Sequence, residues 1–149
     1  MEMETHPNSR LIKFHALVPK FHFPNRRALK SFIARIFDLE NVSFESLHCI
    51  FCTDEYLLEI NKTHLSHDYF TDIITFNLAE DGPIVGELYI STDRVRENAG
   101  DLKIAFRTEL LRVIFHGVLH LCGYGDSTPT QKKQMRAIED KYLNLYTTK

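Results

Sequence analysis

Two histidines and a carboxylate near the end of the chain have the spacing of a metal site. His116 and His120 are four residues apart, and Asp126 follows six residues after the second histidine. If residues 110–121 form a helix, a step of four residues is little more than one turn, so both imidazoles lie on one face. Gly123 can fold the chain back after the helix, because glycine adopts positive φ without steric cost. Three side chains and an open coordination position are typical of a catalytic zinc site.

The helix that carries the two histidines also has a structural interpretation, because it is largely apolar. A histidine on such a helix is usually a packed, hydrogen-bonded core residue. Two imidazoles buried on adjacent turns without partners would pay the desolvation penalty twice. Gly117 costs about 1 kcal/mol in a helix relative to alanine, so it should have a compensating role. The sequence therefore favours the metal site.

The residue after His116 separates two classes of zinc enzyme. Zinc peptidases with the H-E-x-x-H motif have a glutamate there as general base, whereas this chain has Gly117. The ligand spacing matches that of metzincin peptidases, but without the carboxylate we do not expect efficient peptide hydrolysis. A phosphodiester substrate fits better, since a metal with an open position can polarise a phosphoryl oxygen. A zinc peptidase is the weaker alternative.

Composition and charge limit the function classes. Of the 149 residues, 26% are charged and 44% apolar, so we expect one globular domain over residues 1–149. The net charge of −2 gives no overall attraction to polyanions, so RNA binding would need a local basic patch. No run reaches the ~20 apolar residues of a membrane span, and no membrane partner is expected. The predicted helix from Pro24 has one basic face, formed by Arg26, Arg27, Lys30 and Arg35. Such a face is more often just a solvated helix surface, but it is also a candidate phosphate-contacting patch.

The cysteines point to a reducing compartment. Cys49, Cys52 and Cys122 are an odd number, and the chain opens without the pattern of an export signal, so we expect a cytoplasmic location. Cys49 and Cys52 have the C-x-x-C spacing of redox and zinc motifs, but they fall in an apolar predicted strand. Residues three apart on a strand point to opposite faces, so core positions and free thiols are expected.

The elements that must position the ligands follow from hydrophobic periodicity. Strands are predicted at residues 11–18, 43–52, 72–78 and 85–91, with the last two forming a hairpin. Helices are predicted at residues 24–37, 54–64 and 129–146. A further helical stretch begins at residue 92, breaks near residues 98–101 and continues as the helix that carries His116 and His120. The last helix has the apolar stripe Met135, Ile138, Tyr142 and Leu145. This order predicts an α+β fold: a small mixed four-stranded sheet packed against helices, with the metal site on a central helix and the following turn.

Three segments carry a further signal. Residues 116–124 read His-Gly-Val-Leu-His-Leu-Cys-Gly-Tyr, residues 71–76 read Thr-Asp-Ile-Ile-Thr-Phe, and residues 86–91 read Gly-Glu-Leu-Tyr-Ile-Ser. They resemble the H-G-x-L-H-L-x-G-Y-D-H, T-D-V-L-S-F and G-D-I-x-I-S motifs of the YbeY family of bacterial metal-dependent endoribonucleases. The order is the same and the separations are comparable, so the resemblance spans residues 61–139.

By this resemblance the chain is expected to be a zinc-dependent, single-strand-specific endoribonuclease. The family implies a role in maturation of the 3′ end of 16S ribosomal RNA and in ribosome quality control, with ribosomal RNA and the small ribosomal subunit as partners. Its metal ligands would be His116, His120 and Asp126, with one zinc ion per chain.

Further residues are candidates for a role beside the ion. Thr71 and Asp72 would supply a hydroxyl and a carboxylate if their strand borders the metal, although they could merely begin that strand and cap a loop. His67 could bind phosphate or move a proton. Tyr124 either packs across the turn or stacks on a splayed base.

Two positions depart from the family pattern. Asp126 stands where the family has its third histidine. Zinc accepts a carboxylate oxygen at ~2.0 to 2.2 Å, and a carboxylate also admits Mn²⁺ or another divalent ion more easily. Leu65 stands where the family has an arginine, whose guanidinium could clamp a scissile phosphate. The possible substitutes are Arg94, Arg96, Arg107 and Lys62, and the sequence does not choose among them.

A third function class fits the same residues. A ribosome-assembly factor could bind RNA through this fold and use its metal only for structure, without catalysis. The sequence does not separate this alternative from an enzyme, and it does not indicate an oligomeric state.

Overall fold

The computed structural model describes residues 5–65 and 71–148, and a four-stranded sheet lies at its centre. Its strands are β1 (Ile12–Ala16), β2 (Phe44–Cys52), β3 (Ile73–Asn77) and β4 (Ile84–Ser91). They are ordered β1-β2-β4-β3 across the sheet. β1, β2 and β4 are parallel, whereas β3 runs antiparallel to β4. The predicted mixed sheet and the hairpin are therefore confirmed.

The described residues form five α-helices around the sheet: α1 (Arg26–Leu39), α2 (Asp54–Leu65), α3 (Thr92–Leu102), α4 (Phe106–Leu121) and α5 (Pro129–Thr147). A short 3-10 helix, Pro7–Leu11, precedes β1 and was not predicted. The break predicted near residues 98–101 lies slightly later: α3 ends at Leu102, and the next residue, Lys103, caps it in the left-handed conformation with a φ of 59°. Within the described part of the chain, none of the helices has the length and apolar character needed to cross a bilayer.

The two faces of the sheet have different surroundings. On one face Leu47 and Cys49 of β2 and Leu88 of β4 join the main core with α1 and α4. On the other face Cys52 belongs to a small cluster with Leu57 of α2. Cys49 and Cys52 thus lie on opposite faces, both buried as free thiols, as the strand pattern predicted. Burial raises the pKa of each thiol to about 12, which keeps both protonated at neutral pH.

Gly117 allows α4 to approach the sheet closely. A Cβ atom at this position would lie 2.6 Å from Ile73 Cδ1 and 2.9 Å from Leu88 Cδ2. Both distances are shorter than any relaxed carbon–carbon contact. The close packing that Gly117 permits compensates for the low helix propensity of glycine. This packing also places the histidine-bearing face of α4 beside β3.

The last helix follows its predicted stripe except at one position. A capping box between Thr128 and Gln131 begins α5, and Met135 and Tyr142 are buried. Leu145 was predicted to share their face, but this is wrong, because its side chain is 42% exposed. The buried face continues from Tyr142 to Tyr146 instead. At 3.6 residues per turn, a step of four residues keeps a side chain closer to the same helix face than a step of three does.

Candidate metal centre

The three predicted ligands converge where α4 ends and the chain turns back. His116 Nε2 lies 3.2 Å from Asp126 Oδ2, and His120 Nε2 lies 3.3 Å from the same oxygen. All three ligand atoms lie within 4.8 Å of one another. Donors bound to one zinc ion with tetrahedral geometry are about 3.3 Å apart. The spacing of these atoms therefore suits one divalent ion.

The second ring nitrogen of each histidine has its own acceptor. His116 Nδ1 lies 2.6 Å from Glu139 Oε2, and His120 Nδ1 lies 2.8 Å from the Tyr124 carbonyl oxygen. When each Nδ1 carries its hydrogen and donates it, the Nε2 lone pair is free for a metal. Metal-binding histidines almost always have such a partner, so the donor set fits a divalent cation.

Glu139 is nearly fully buried and is itself paired with a cation. Its side chain is only 6% exposed, and its Oε1 accepts a hydrogen bond of 3.2 Å from Arg112 Nη1. Burial lowers the pKa of His116, but the hydrogen bond to Glu139 and the negative charges around the ring outweigh burial and raise that pKa above its ordinary value. The site thus has a negative electrostatic field, which also favours a bound cation.

The turn that carries Asp126 is fixed by backbone and side-chain contacts. Gly123 has a φ of 106°, which residues other than glycine rarely adopt, and Tyr124 N–H donates to the Leu119 carbonyl at 3.0 Å. The Tyr124 hydroxyl donates to Glu40 Oε1 at 2.7 Å. Tyr124 therefore packs across the turn, the first of its two predicted alternatives.

A pocket of about 540 Å³ opens over the three ligands. Thr71 and Asp72, two of the predicted catalytic residues, line it. The Thr71 hydroxyl donates to the Ile73 carbonyl over a long 3.4 Å, so it is not tightly held. Burial raises the pKa of Asp72 above its ordinary value, and Asn98 Nδ2 donates to its Oδ2 at 3.4 Å. The third predicted residue, His67, falls outside the described residues.

Comparison with known protein families covers the part of the chain that contains the three ligands. The family model described as Endoribonuclease YbeY matches residues 20–147. The chain belongs to the YbeY family. Endoribonuclease YbeY of Flavobacterium psychrophilum is 49% identical over 110 residues, which cover 74% of this chain and 79% of that protein. Endoribonuclease YbeY of Cytophaga hutchinsonii is 44% identical over 127 residues, which cover 85% of this chain and 89% of that protein.

The fold also has a solved counterpart. The solution structure of TM1509 from Thermotoga maritima matches with a TM-score of 0.59 and 26% identity, covering 91% of this chain and 88% of that one. The predicted α+β fold is therefore confirmed both by the arrangement of elements and by a similar solved structure.

The described residues that line the pocket include no lysine or arginine, and Leu65, where the family pattern leads us to expect an arginine, lines it with an apolar side chain. Of the proposed substitutes, Arg94 pairs with Asp54 at 3.0 Å and with Glu97 at 3.3 Å. The Arg96 guanidinium lies 4.8 Å from the centre of the Phe106 ring. Arg107 and Lys62 do not line the pocket either.

Several residues of the site were missed by the sequence interpretation. Glu139 had a readable signal, since it falls between Met135 and Tyr142 on the apolar stripe of α5, and a buried glutamate requires a partner. Asn61 lines the pocket and is 2% exposed. It had no signal in the sequence, because a single polar residue in an amphipathic helix does not indicate a site. Glu40 had no local signal, because its partner Tyr124 is 84 residues away along the chain.

Proposed function

We propose that this protein is a metal-dependent endoribonuclease that cleaves single-stranded RNA. The observation that carries the proposal is the convergence of His116, His120 and Asp126 on one point of the pocket, with both Nδ1 atoms already occupied. Relatives that cover most of the chain are named as endoribonucleases. The proposed cofactor is one Zn²⁺ per chain, with Mn²⁺ as the alternative ion because of Asp126.

The proposal extends to the biological substrate through family membership. We infer that the substrate is ribosomal RNA, cleaved at the 3′ end of the small-subunit RNA in the cytoplasm, with a role in ribosome quality control. Three observations support this inference: the pocket over the metal ligands, a ligand set without the peptidase glutamate at Gly117, and a family whose named members are endoribonucleases.

The pocket suggests a role for each residue that lines it. A divalent ion held by the three ligands would supply a Lewis acid for a phosphoryl oxygen. Asp72 can take a proton from an attacking oxygen or return one to a leaving oxygen at its carboxylate. The loosely held hydroxyl of Thr71 can donate a hydrogen bond to a phosphate oxygen. The carbonyl of Tyr124 and the carboxylate of Glu139 keep the imidazoles oriented.

The location of the ligands favours a single strand over a duplex. The ligand atoms lie in a recess, and a scissile phosphate must reach them with its ester oxygens aligned. A flexible strand can bend to bring one phosphate into the recess, whereas the phosphates of an A-form duplex are held on a rigid convex surface.

The experiment compares wild type with His120→Ala on one labelled RNA, as a single strand and as a duplex, with and without chelator. His48→Ala is the matched control, because His48 lies in a separate groove and contacts His15 instead of the ligands. Wild type and His48→Ala should cleave the single strand, and chelator or His120→Ala should abolish cleavage. Equal cleavage by all three proteins would identify a contaminant and would contradict the proposal.

The lining of the pocket also favours a second candidate function. Since the described residues that line it supply no lysine or arginine to a scissile phosphate, a noncatalytic RNA-binding assembly factor with a structural metal fits the same geometry. RNA binding by wild type without cleavage in Zn²⁺, Mn²⁺ or Mg²⁺ would establish this alternative, and peptide cleavage would point to a zinc peptidase instead.

A further inference from the structure

Glu40 joins three parts of the fold that are distant in sequence. It directly follows α1, and its two carboxylate oxygens accept hydrogen bonds from two tyrosines. Tyr124, on the turn after α4, donates to Oε1 at 2.7 Å. Tyr142, fully buried in α5, donates to Oε2. One carboxylate thus ties the turn to two helices.

The tyrosine on the turn is the one whose backbone serves the metal centre. The Tyr124 carbonyl accepts the hydrogen bond from His120 Nδ1 at 2.8 Å, and Asp126 is two residues further along. Tyr124 N–H donates to the Leu119 carbonyl at 3.0 Å, and the hydroxyl contact with Glu40 holds the same residue through the end of its side chain. Glu40 is thus linked to the residue whose carbonyl accepts from His120.

We propose that Glu40 is a positioning residue for the metal centre, acting through Tyr124 to hold His120 with Nδ1–H donating and Nε2 free. This inference rests on the proposed metal site. The chain of contacts runs from Glu40 Oε1 to the Tyr124 hydroxyl, through the Tyr124 backbone to its carbonyl, and on to the imidazole. Removing a partner that orients a metal-binding histidine typically weakens the metal complex by roughly 10- to 100-fold.

The test uses the full chain in three single variants and one double variant. Glu40→Ala and Tyr124→Phe each break the contact, and the double variant shows whether they act through one interaction. Tyr146→Phe is the matched control. It removes one hydroxyl from a buried tyrosine on another part of α5, near the positive charge of Arg107 rather than Glu40. Zn²⁺ affinity is measured by chelator competition, and the His120 tautomer by nitrogen NMR of the metal-free protein.

Glu40→Ala and Tyr124→Phe should each lower Zn²⁺ affinity about tenfold, and the double variant should lose no more than either single variant. In the metal-free proteins, His120 should change from the Nδ1–H tautomer to a mixture. Tyr146→Phe should keep both the affinity and the tautomer, even if its Tm falls.

Two results would overturn the inference: an unchanged His120 tautomer in Tyr124→Phe, or losses that add up in the double variant. If Glu40→Ala does not fold, Tyr124→Phe still decides, because it removes one oxygen atom only. If wild type itself binds no metal, the proposed site fails, whereas the tautomer of the metal-free protein still tests the positioning by Glu40.

Discussion

Asp126 sets the charge of the proposed metal centre. Two neutral imidazoles and one carboxylate reduce the net charge of a bound divalent ion more than three imidazoles would. Asp126 Oδ2 faces both His116 and His120, and the carboxylate is partly accessible to solvent. This residue therefore influences both the affinity for the ion and the choice of ion.

Substitution of Asp126 should separate ligand loss from ligand exchange. Asp126→Ala should weaken Zn²⁺ binding at least tenfold, since only two protein donors remain, whereas Asp126→His should retain Zn²⁺ and bind Mn²⁺ less well. Metal competition followed by elemental analysis measures both. If Asp126→Ala held Zn²⁺ as well as wild type, Ser127 or solvent would have to supply the third donor.

Leu65 gives the pocket an apolar side chain where a cation could contact a phosphate. Its side chain is 39% exposed and lines the pocket, so a longer side chain there can extend over the ligands. Leu65→Arg should raise kcat/KM on single-stranded RNA about tenfold, because a hydrogen bond to a charged group contributes at least ~1.5 kcal/mol.

The gain should depend on charge and should shrink as salt is added. Leu65→Gln is the control, since it can form hydrogen bonds but carries no charge. Equal gains in the two variants would show that polarity rather than a phosphate clamp is responsible, and no gain in either would place the phosphate away from Leu65.

Among the elements, α4 determines where the ligands lie because it packs unusually close to the sheet. Gly117 makes this possible against β3 and β4, and Gly86 does the same from the sheet, where a Cβ would lie 2.8 Å from Leu121 Cδ1. The two glycines lie at different points of the same helix–sheet contact. The position of both histidines relative to Thr71 and Asp72 therefore depends on this contact.

Gly117→Ala should destabilise the protein even though alanine is the better helix former. The clash with Ile73 Cδ1 and Leu88 Cδ2 should lower the free energy of unfolding by about 1 to 3 kcal/mol. The higher helix propensity of alanine offsets about 1 kcal/mol of this loss. Urea unfolding measures the difference. Ile73→Val removes the nearest atom and should recover part of the loss in the double variant.

Gly100→Ala is the matched control for this prediction. Gly100 lies in α3, and a Cβ added there would meet none of the described atoms within 4 Å, so the same substitution should stabilise the protein by up to about 1 kcal/mol. If both substitutions changed stability in the same direction, close packing would not explain Gly117.

The sequence predicted the elements well and their long-range contacts poorly. Periodicity and turn residues located all four strands, and the i, i+4 histidines with the following glycine predicted the geometry at the end of α4. The pairing of β4 with β2 had no local signal, because the pairing of strands distant in sequence is decided by the packing of the whole sheet. Glu40 was missed for the same reason, since its partners lie on other elements, whereas Glu139 had a local signal as a charged residue on the apolar stripe of α5.

At the scale of the whole molecule, the proposed metal centre joins elements from distant parts of the chain. Its ligands lie on α4 and the following turn, Glu139 holds His116 from α5, and Glu40 holds the turn from the end of α1. An ion at this site would therefore stabilise contacts among three helices rather than one local loop. Metal binding and folding should be coupled through these contacts.

Wild type should become more stable when Zn²⁺ is added. Free ion at 100 times its Kd stabilises the folded state by about 2.7 kcal/mol, which corresponds to a rise in Tm of roughly 5 to 10 °C for a chain of this size. His116→Ala should show little or no rise, since it removes a ligand and leaves Glu139 without its imidazole partner. His48→Ala should show the wild-type rise, because its ring contacts His15 and lies in a separate groove. Calorimetry at several Zn²⁺ concentrations measures the effect, and a rise of equal size in His116→Ala would show that zinc binds elsewhere on the protein.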